Sequence, residues 1–195
     1  MKSYFYILLI SFVIFPNTTK AQSYFDPDGG CLNVVDVSFG KGVGEYGANV
    51  ISSYYLHERF INERYSVGVG IGYNYHNQYK FSSIPIFFSS HYFFLDNKVS
   101  PFVNIKAGLF AMFGKNNVNT NEKYSLSKEQ TNFNLFLSPS VGVKVHLSSN
   151  IGLLASINDE AFLVTAFDTK KSGYTNKLVN NIGFNIGVFF QIKGW

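Results

Sequence analysis

The sequence predicts an all-β fold: an eight-stranded antiparallel up-and-down transmembrane β-barrel. Three observations carry this. Bulky apolar residues alternate with small or polar ones, such stretches number eight, and their length suits a tilted strand crossing a bilayer, which needs about 9 to 11 residues.

The alternation is plainest at residues 65–77, YSVGVGIGYNYHN. Successive side chains of a strand point to opposite sides, so Tyr65, Val67, Val69, Ile71, Tyr73 and Tyr75 share one face. Ser66, Gly68, Gly70, Gly72, Asn74 and His76 share the other. A solvated sheet face normally carries Thr, Lys, Glu and Arg rather than glycine. Small residues suit the crowded axis of a narrow barrel, which turns the bulky face toward lipid.

The eight stretches are 32–39, about 48–57, 65–75, 84–95, a fifth from 99 or 102 to 113, 133–147, 151 to about 164 and about 179–192. In the fifth, Val103, Ile105, Ala107 and Leu109 oppose Asn104, Lys106 and Gly108. In the sixth, Leu135, Leu137, Val141, Val143 and Val145 oppose Ser138, Ser140, Gly142, Lys144 and His146. In the eighth, Ile182, Phe184, Ile186, Val188, Phe190 and Ile192 oppose Gly183, Asn185, Gly187 and Gln191. The seventh is the least regular: Asn158-Asp159-Glu160 interrupts it and reads as a bulge or an early exit from the membrane. Links after the second, fourth and sixth stretches are short, and those after the third, fifth and seventh are longer. That is the pattern of a barrel with short turns at one end and long loops at the other.

Composition agrees. Of 195 residues, 46% are hydrophobic and only 14% charged, against a usual charged share of about 25%. Residues 1–21 read as a signal peptide: Lys2, an apolar run from Tyr4 to Phe15, and small residues ahead of a cleavage point at Ala21/Gln22. Residues 22–195 are then the barrel domain. Cleavage removes Lys2 and Lys20 and no acid, so the net charge of +4 falls by two to +2, which gives no reason to expect a nucleic-acid partner. Cys31 is the sole cysteine, which excludes an internal disulfide and a four-cysteine zinc site.

Three stretches resemble a known family. RYSVGVGIGYNY, the hairpin IPIFFSSHYFFLDNKVSPFVNIKAG and the aromatic-rich NIGFNIGVFFQIKGW are similar to the small bacterial outer-membrane barrels of the OmpA/OmpX type. The resemblance implies an outer-membrane location, contact with membrane lipid, and assembly by the barrel-insertion machinery, which reads an aromatic-rich last strand. Phe190, Ile192 and Trp195 are the candidate insertion signal, with Trp195 on the parity of Gln191 rather than of Phe190. No cofactor or metal is implied.

Other chemistry was weighed against this. Gly42-Val43-Gly44-Glu45-Tyr46-Gly47 matches G-x-G-x-x-G, but the following ANVISSYYL favours a strand over the helix a nucleotide would need. The four histidines, His57, His76, His91 and His146, lack metal-binding helical spacing. A Ser-His-acid triad assembled in space would make the chain a lipid-modifying barrel enzyme, with His91 and His146 as candidates. A soluble lipocalin-like barrel is the second alternative and would turn the bulky face inward. Asp36, His91, Lys106, Lys144, His146 and Glu160 fall on inward parity and form a candidate interior polar network, because a buried ion demands a partner. Segments near 114–132 and 167–178 are candidate loops for a surface ligand.

Overall fold

In the computed structural model the described residues are 30–44, 49–77, 80–113, 134–168 and 173–192, with backbone alone for 164–168 and 173–177. The strands are β1 (Cys31–Val43), β2 (Val50–Asn62), β3 (Tyr65–His76), β4 (Phe81–Phe93), β5 (Val99–Phe113), β6 (Asn134–His146), β7 (Ile151–Asp168) and β8 (Gly173–Ile192). Each pairs antiparallel with the next, and β8 returns to pair with β1 over Cys31–Val43, so the sheet closes. The signal-peptide segment 1–21, Trp195 and the segment 114–132 lie outside the described residues.

The bulky face is outside. Val69, Ile71, Phe88 and Val141 are 52%, 48%, 74% and 59% exposed, whereas Ser66, Asn74 and His76 are buried at 1% or less. A soluble barrel with a greasy lumen would show the opposite. On β1 the outward positions run from Cys31 at one rim to Lys41 at the other, with Val35, Val37 and Phe39 exposed between them. Ten strand residues at ordinary rise and tilt span about 25 Å, the height of an outer-membrane barrel's apolar band.

The interior holds more than small polar residues. Tyr54, Phe87, Phe136 and Phe162 form an aromatic cluster toward one end, and Phe60, Phe93, Phe102 and Phe189 fill the other. The glycines make room for these rings. A Cβ at Gly70 would strike the Phe87 ring, at Gly72 the Tyr54 ring, and at Gly152 the Phe189 ring. Alternating large and small residues across neighbouring strands is how a small barrel fills its axis.

Several features differ from the sequence expectation. β1 runs past Phe39 by pairing with β8 as far as Val43, and β2 runs past His57 because the charged LHERFI segment keeps its alternation: Leu56, Glu58 and Phe60 point in while His57, Arg59 and Ile61 point out. The seventh stretch has neither bulge nor early exit. Asn158 and Glu160 point inward and Asp159 outward in unbroken register with β8, since polar residues at inward positions are what this interior accepts. The bulge lies instead between Phe60 and Asn62 of β2.

A further difference concerns the links. Segment 167–178 is largely strand rather than loop: β7 and β8 pair as far as Asp168↔Gly173. Residues 164–168 and 173–178 continue the β7–β8 pairing beyond the last described pairs of β7 with β6, at Leu163, and of β8 with β1, at Asn180. The link after β3 is also short, residues 77–80, with Lys80 in a left-handed conformation at φ 50°.

Candidate functional site

Because β1, β2, β5 and β7 each turn every second residue inward, they bring charged groups from distant sequence positions onto one axis. Lys106 Nζ of β5 meets Asp36 Oδ2 of β1 at 3.1 Å, and both side chains are at least nine-tenths buried. The same ammonium lies 4.2 Å from the Tyr54 ring centre. The Tyr54 hydroxyl donates to Glu160 Oε1 at 2.8 Å, as does the Asn158 amide at 2.8 Å. Salt bridge, cation–π contact and hydrogen bonds thus compensate charges whose burial alone would cost several kcal/mol each, on the order of magnitude known for ions in proteins.

A second cluster sits nearer the end that carries the β2–β3, β4–β5 and β6–β7 turns. His91 Nδ1 is 2.8 Å from Glu58 Oε2, and the Ser66 hydroxyl donates to that oxygen at 2.6 Å. The imidazole stacks on Phe93 at 5.5 Å with an interplanar angle of 2°. Asn104 donates to Ser89 Oγ at 2.9 Å and to the Ser90 carbonyl at 3.0 Å, closing the group from β5. Glu58 escapes sequence reading because the second stretch is ended at His57; the parity of Ser52, Tyr54 and Leu56 was the signal that it points inward.

Lys144 and His146 join neither cluster. The Lys144 ammonium lies 4.0 Å from the Phe93 ring centre, with Phe60 and Phe189 within 6 Å, and His146 meets Phe189 edge-on at 4.8 Å. Of the six residues expected to share a network, then, Asp36, Lys106 and Glu160 come together around Tyr54, His91 pairs with Glu58, and two are seated on rings. A cavity of about 20 Å³ separates the clusters, lined by Asp36, His91, Asn104, Lys106 and Ser140 among others. That is room for about one water.

The arrangement is chemically two buried acid–base contacts, Asp36–Lys106 and Glu58–His91, with Glu160 held by hydrogen bonds and Lys144 by aromatic rings. In a Ser-His-acid relay the serine must bond the imidazole while the acid holds the ring's other nitrogen. Ser66 instead bonds the acid, Glu58, directly. Among the described residues, no group of three or more His, Cys, Asp or Glu is arranged to hold a metal ion. The G-x-G-x-x-G segment begins inside β1 and is followed by β2, so the turn required for a dinucleotide has no helix behind it.

Outside, Phe190 and Ile192 face away from the axis at 44% and 57% exposure, on the apolar belt. Comparison with known proteins bears on this architecture. Neisserial surface protein A (NspA) superposes with a TM-score of 0.59 at 16% identity, over 82% of this chain and 96% of that one. The outer membrane protein OprG from Pseudomonas aeruginosa does so with a TM-score of 0.51 at 8% identity, over 87% of this chain and 98% of that one. The chain has the fold of the small eight-stranded outer-membrane barrels. No family model matches the sequence, and no curated protein matches it either. The resemblance of this outer-membrane-type barrel to its structural neighbours therefore lives in parity and closure, with few identical residues.

Proposed function

We propose that the chain is an integral outer-membrane protein with a structural or surface-binding role and without an open diffusion pore. The single observation that carries this is the combination of an exposed apolar belt with an axis filled by rings and paired charges. An eight-stranded barrel has an interior just wide enough for side chains, and here Phe87, Phe136 and Phe162 occupy it with Lys106 and Asp36 beside them. Binding then belongs to the end opposite the β2–β3, β4–β5 and β6–β7 turns, where the 114–132 segment joins β5 to β6 and β7 joins β8. Loops on a rigid scaffold are where such proteins carry variable function.

Two measurements test this together. The protein should fractionate with the outer membrane and resist carbonate washing, and liposomes containing it should not swell in isotonic arabinose. Release by carbonate would remove the membrane reading, and swelling at a porin's rate would remove the closed axis. The lipid-modifying alternative predicts instead that deleting the gene changes the mass profile of membrane lipids.

A further inference from the structure

The outward face of β2 differs from its neighbours. β3, β5, β6 and β8 keep this face apolar through their middles, as in Val67-Val69-Ile71 and Phe184-Ile186-Val188. β2 presents Ser53, Tyr55, His57 and Arg59, and β1 sets Asn33 directly opposite His57. These groups are organised. The Tyr55 hydroxyl donates to Asn33 Oδ1 at 3.0 Å, and His57 Nδ1 lies 2.8 Å from the same oxygen. Two donors saturate the two lone pairs of that carbonyl. On offer to a ligand are the Asn33 amide NH2 and the guanidinium of Arg59, which takes part in neither ion pair among the described residues, while His57 Nε2 and the Tyr55 oxygen keep lone pairs.

Depth narrows the occupant. Arg59 is paired with Cys31, the first residue of β1, close to the β2–β3 turn and hence at the rim of the apolar belt. An arginine on the lipid face costs about 2 to 4 kcal/mol at the bilayer midplane but only about 0 to 1 near an interface, where phosphates lie. Guanidinium matches phosphate oxygens bidentately, and a neutral amide beside it adds a further donor. Val35, Val67 and Val69 flank the polar groups, giving an acyl chain a surface to follow.

We propose that Asn33, Tyr55, His57 and Arg59 form a headgroup site for the phosphate of an anionic phospholipid in the leaflet at the short-turn end of the barrel. This rests on the membrane-embedded reading above. The site takes the phosphodiester between Arg59 and the Asn33 amide, with Tyr55 and His57 holding Asn33 in place.

Native mass spectrometry of the detergent-solubilised protein, titrated with phosphatidylglycerol, phosphatidylcholine or inorganic phosphate, tests it. The expected result is a one-lipid adduct with phosphatidylglycerol that weakens at least about tenfold in Arg59→Gln and is unchanged in Lys41→Gln, which removes a cation at the opposite rim. Heat-dependent gel migration verifies folding; should Arg59→Gln fail to fold, Asn33→Ala carries the same expectation. Equal lipid loading of wild type and variant would overturn the proposal. So would an Arg59-dependent adduct with inorganic phosphate alone, which would mark a soluble anion as the ligand, or a protein dimer that Arg59→Gln dissolves. Failure of the membrane reading is separable, because the wild type would then not insert into vesicles of either lipid.

Discussion

At the scale of single residues, glycine and valine neighbours on β3 carry opposite constraints. Val69 faces the belt at 52% exposure, while a Cβ at Gly70 would collide with the Phe87 ring. Val69→Leu should therefore be nearly neutral and Val69→Arg should cost about 2 to 4 kcal/mol if the position lies near the midplane. Gly70→Leu should be as damaging or worse, because ring packing gives it no volume. Urea unfolding in liposomes measures all three, and a tolerant Gly70 beside a size-sensitive Val69 would reverse the assignment of faces. This much was legible from VGVGIG alone, since the parity of a strand is visible in its sequence. The partner of Gly70 was not: that Phe87 fills the space comes from the β3–β4 register, which sets Gly70 opposite Phe87. Nor was the Glu58–His91 contact, which joins residues whose proximity depends on closure and strand pairing rather than on any local pattern.

At the scale of elements, charge misled where alternation did not. His57-Glu58-Arg59 and Asn158-Asp159-Glu160 resemble turns by composition, yet both continue as strand. In each the outer two and the middle residue point to opposite sides, so a polar triplet contributes to the axis and to the outer face together. The β7–β8 segment 167–178 was hidden for a different reason: DTKKSGYTNK lacks the apolar alternation that marks the other strands. Beyond Leu163 and Asn180 its described pairing is that of β7 with β8. Amides of 173–178 should therefore exchange with deuterium much faster than those of 182–190 in the same strand, as local stability follows buried contacts. Hydrogen exchange with peptide-level readout checks this, and equal protection along β8 would mean that further strands pair with this end.

For the whole molecule, closure is the decisive feature, because a barrel leaves no unpaired edge for water or a second chain to exploit. The seam is β1–β8, where Gly187 faces Asp36 and a Cβ would sit 2.8 Å from the Asp36 Cβ and 2.9 Å from the Val35 carbonyl. Gly187→Val should strain that seam and the Asp36–Lys106 pair beside it, destabilising the fold by about 1 to 3 kcal/mol as overpacking does. The loss would appear as a lower urea midpoint and as partial loss of the compact, heat-modifiable form on gels. An unaltered midpoint would show that the seam relaxes without consequence. The fold class, strand count and direction of the faces were readable in the sequence because one rule, alternation across a lipid boundary, governs all eight strands. The interior pairings were not, because they are set by register around the closed sheet.

The central claim is that the bulky face of this barrel meets acyl chains. In a Cys31→Ser background, single cysteines at Val69, Val141 and Ile186, on three separate strands, are labelled with an environment-sensitive fluorophore and reconstituted in vesicles whose acyl chains carry bromine. All three side chains are outward and more than half exposed. The account predicts strong quenching by brominated acyl chains at all three and little by aqueous iodide. Iodide quenching with no effect of bromine would contradict it, and would mean that this face looks into water.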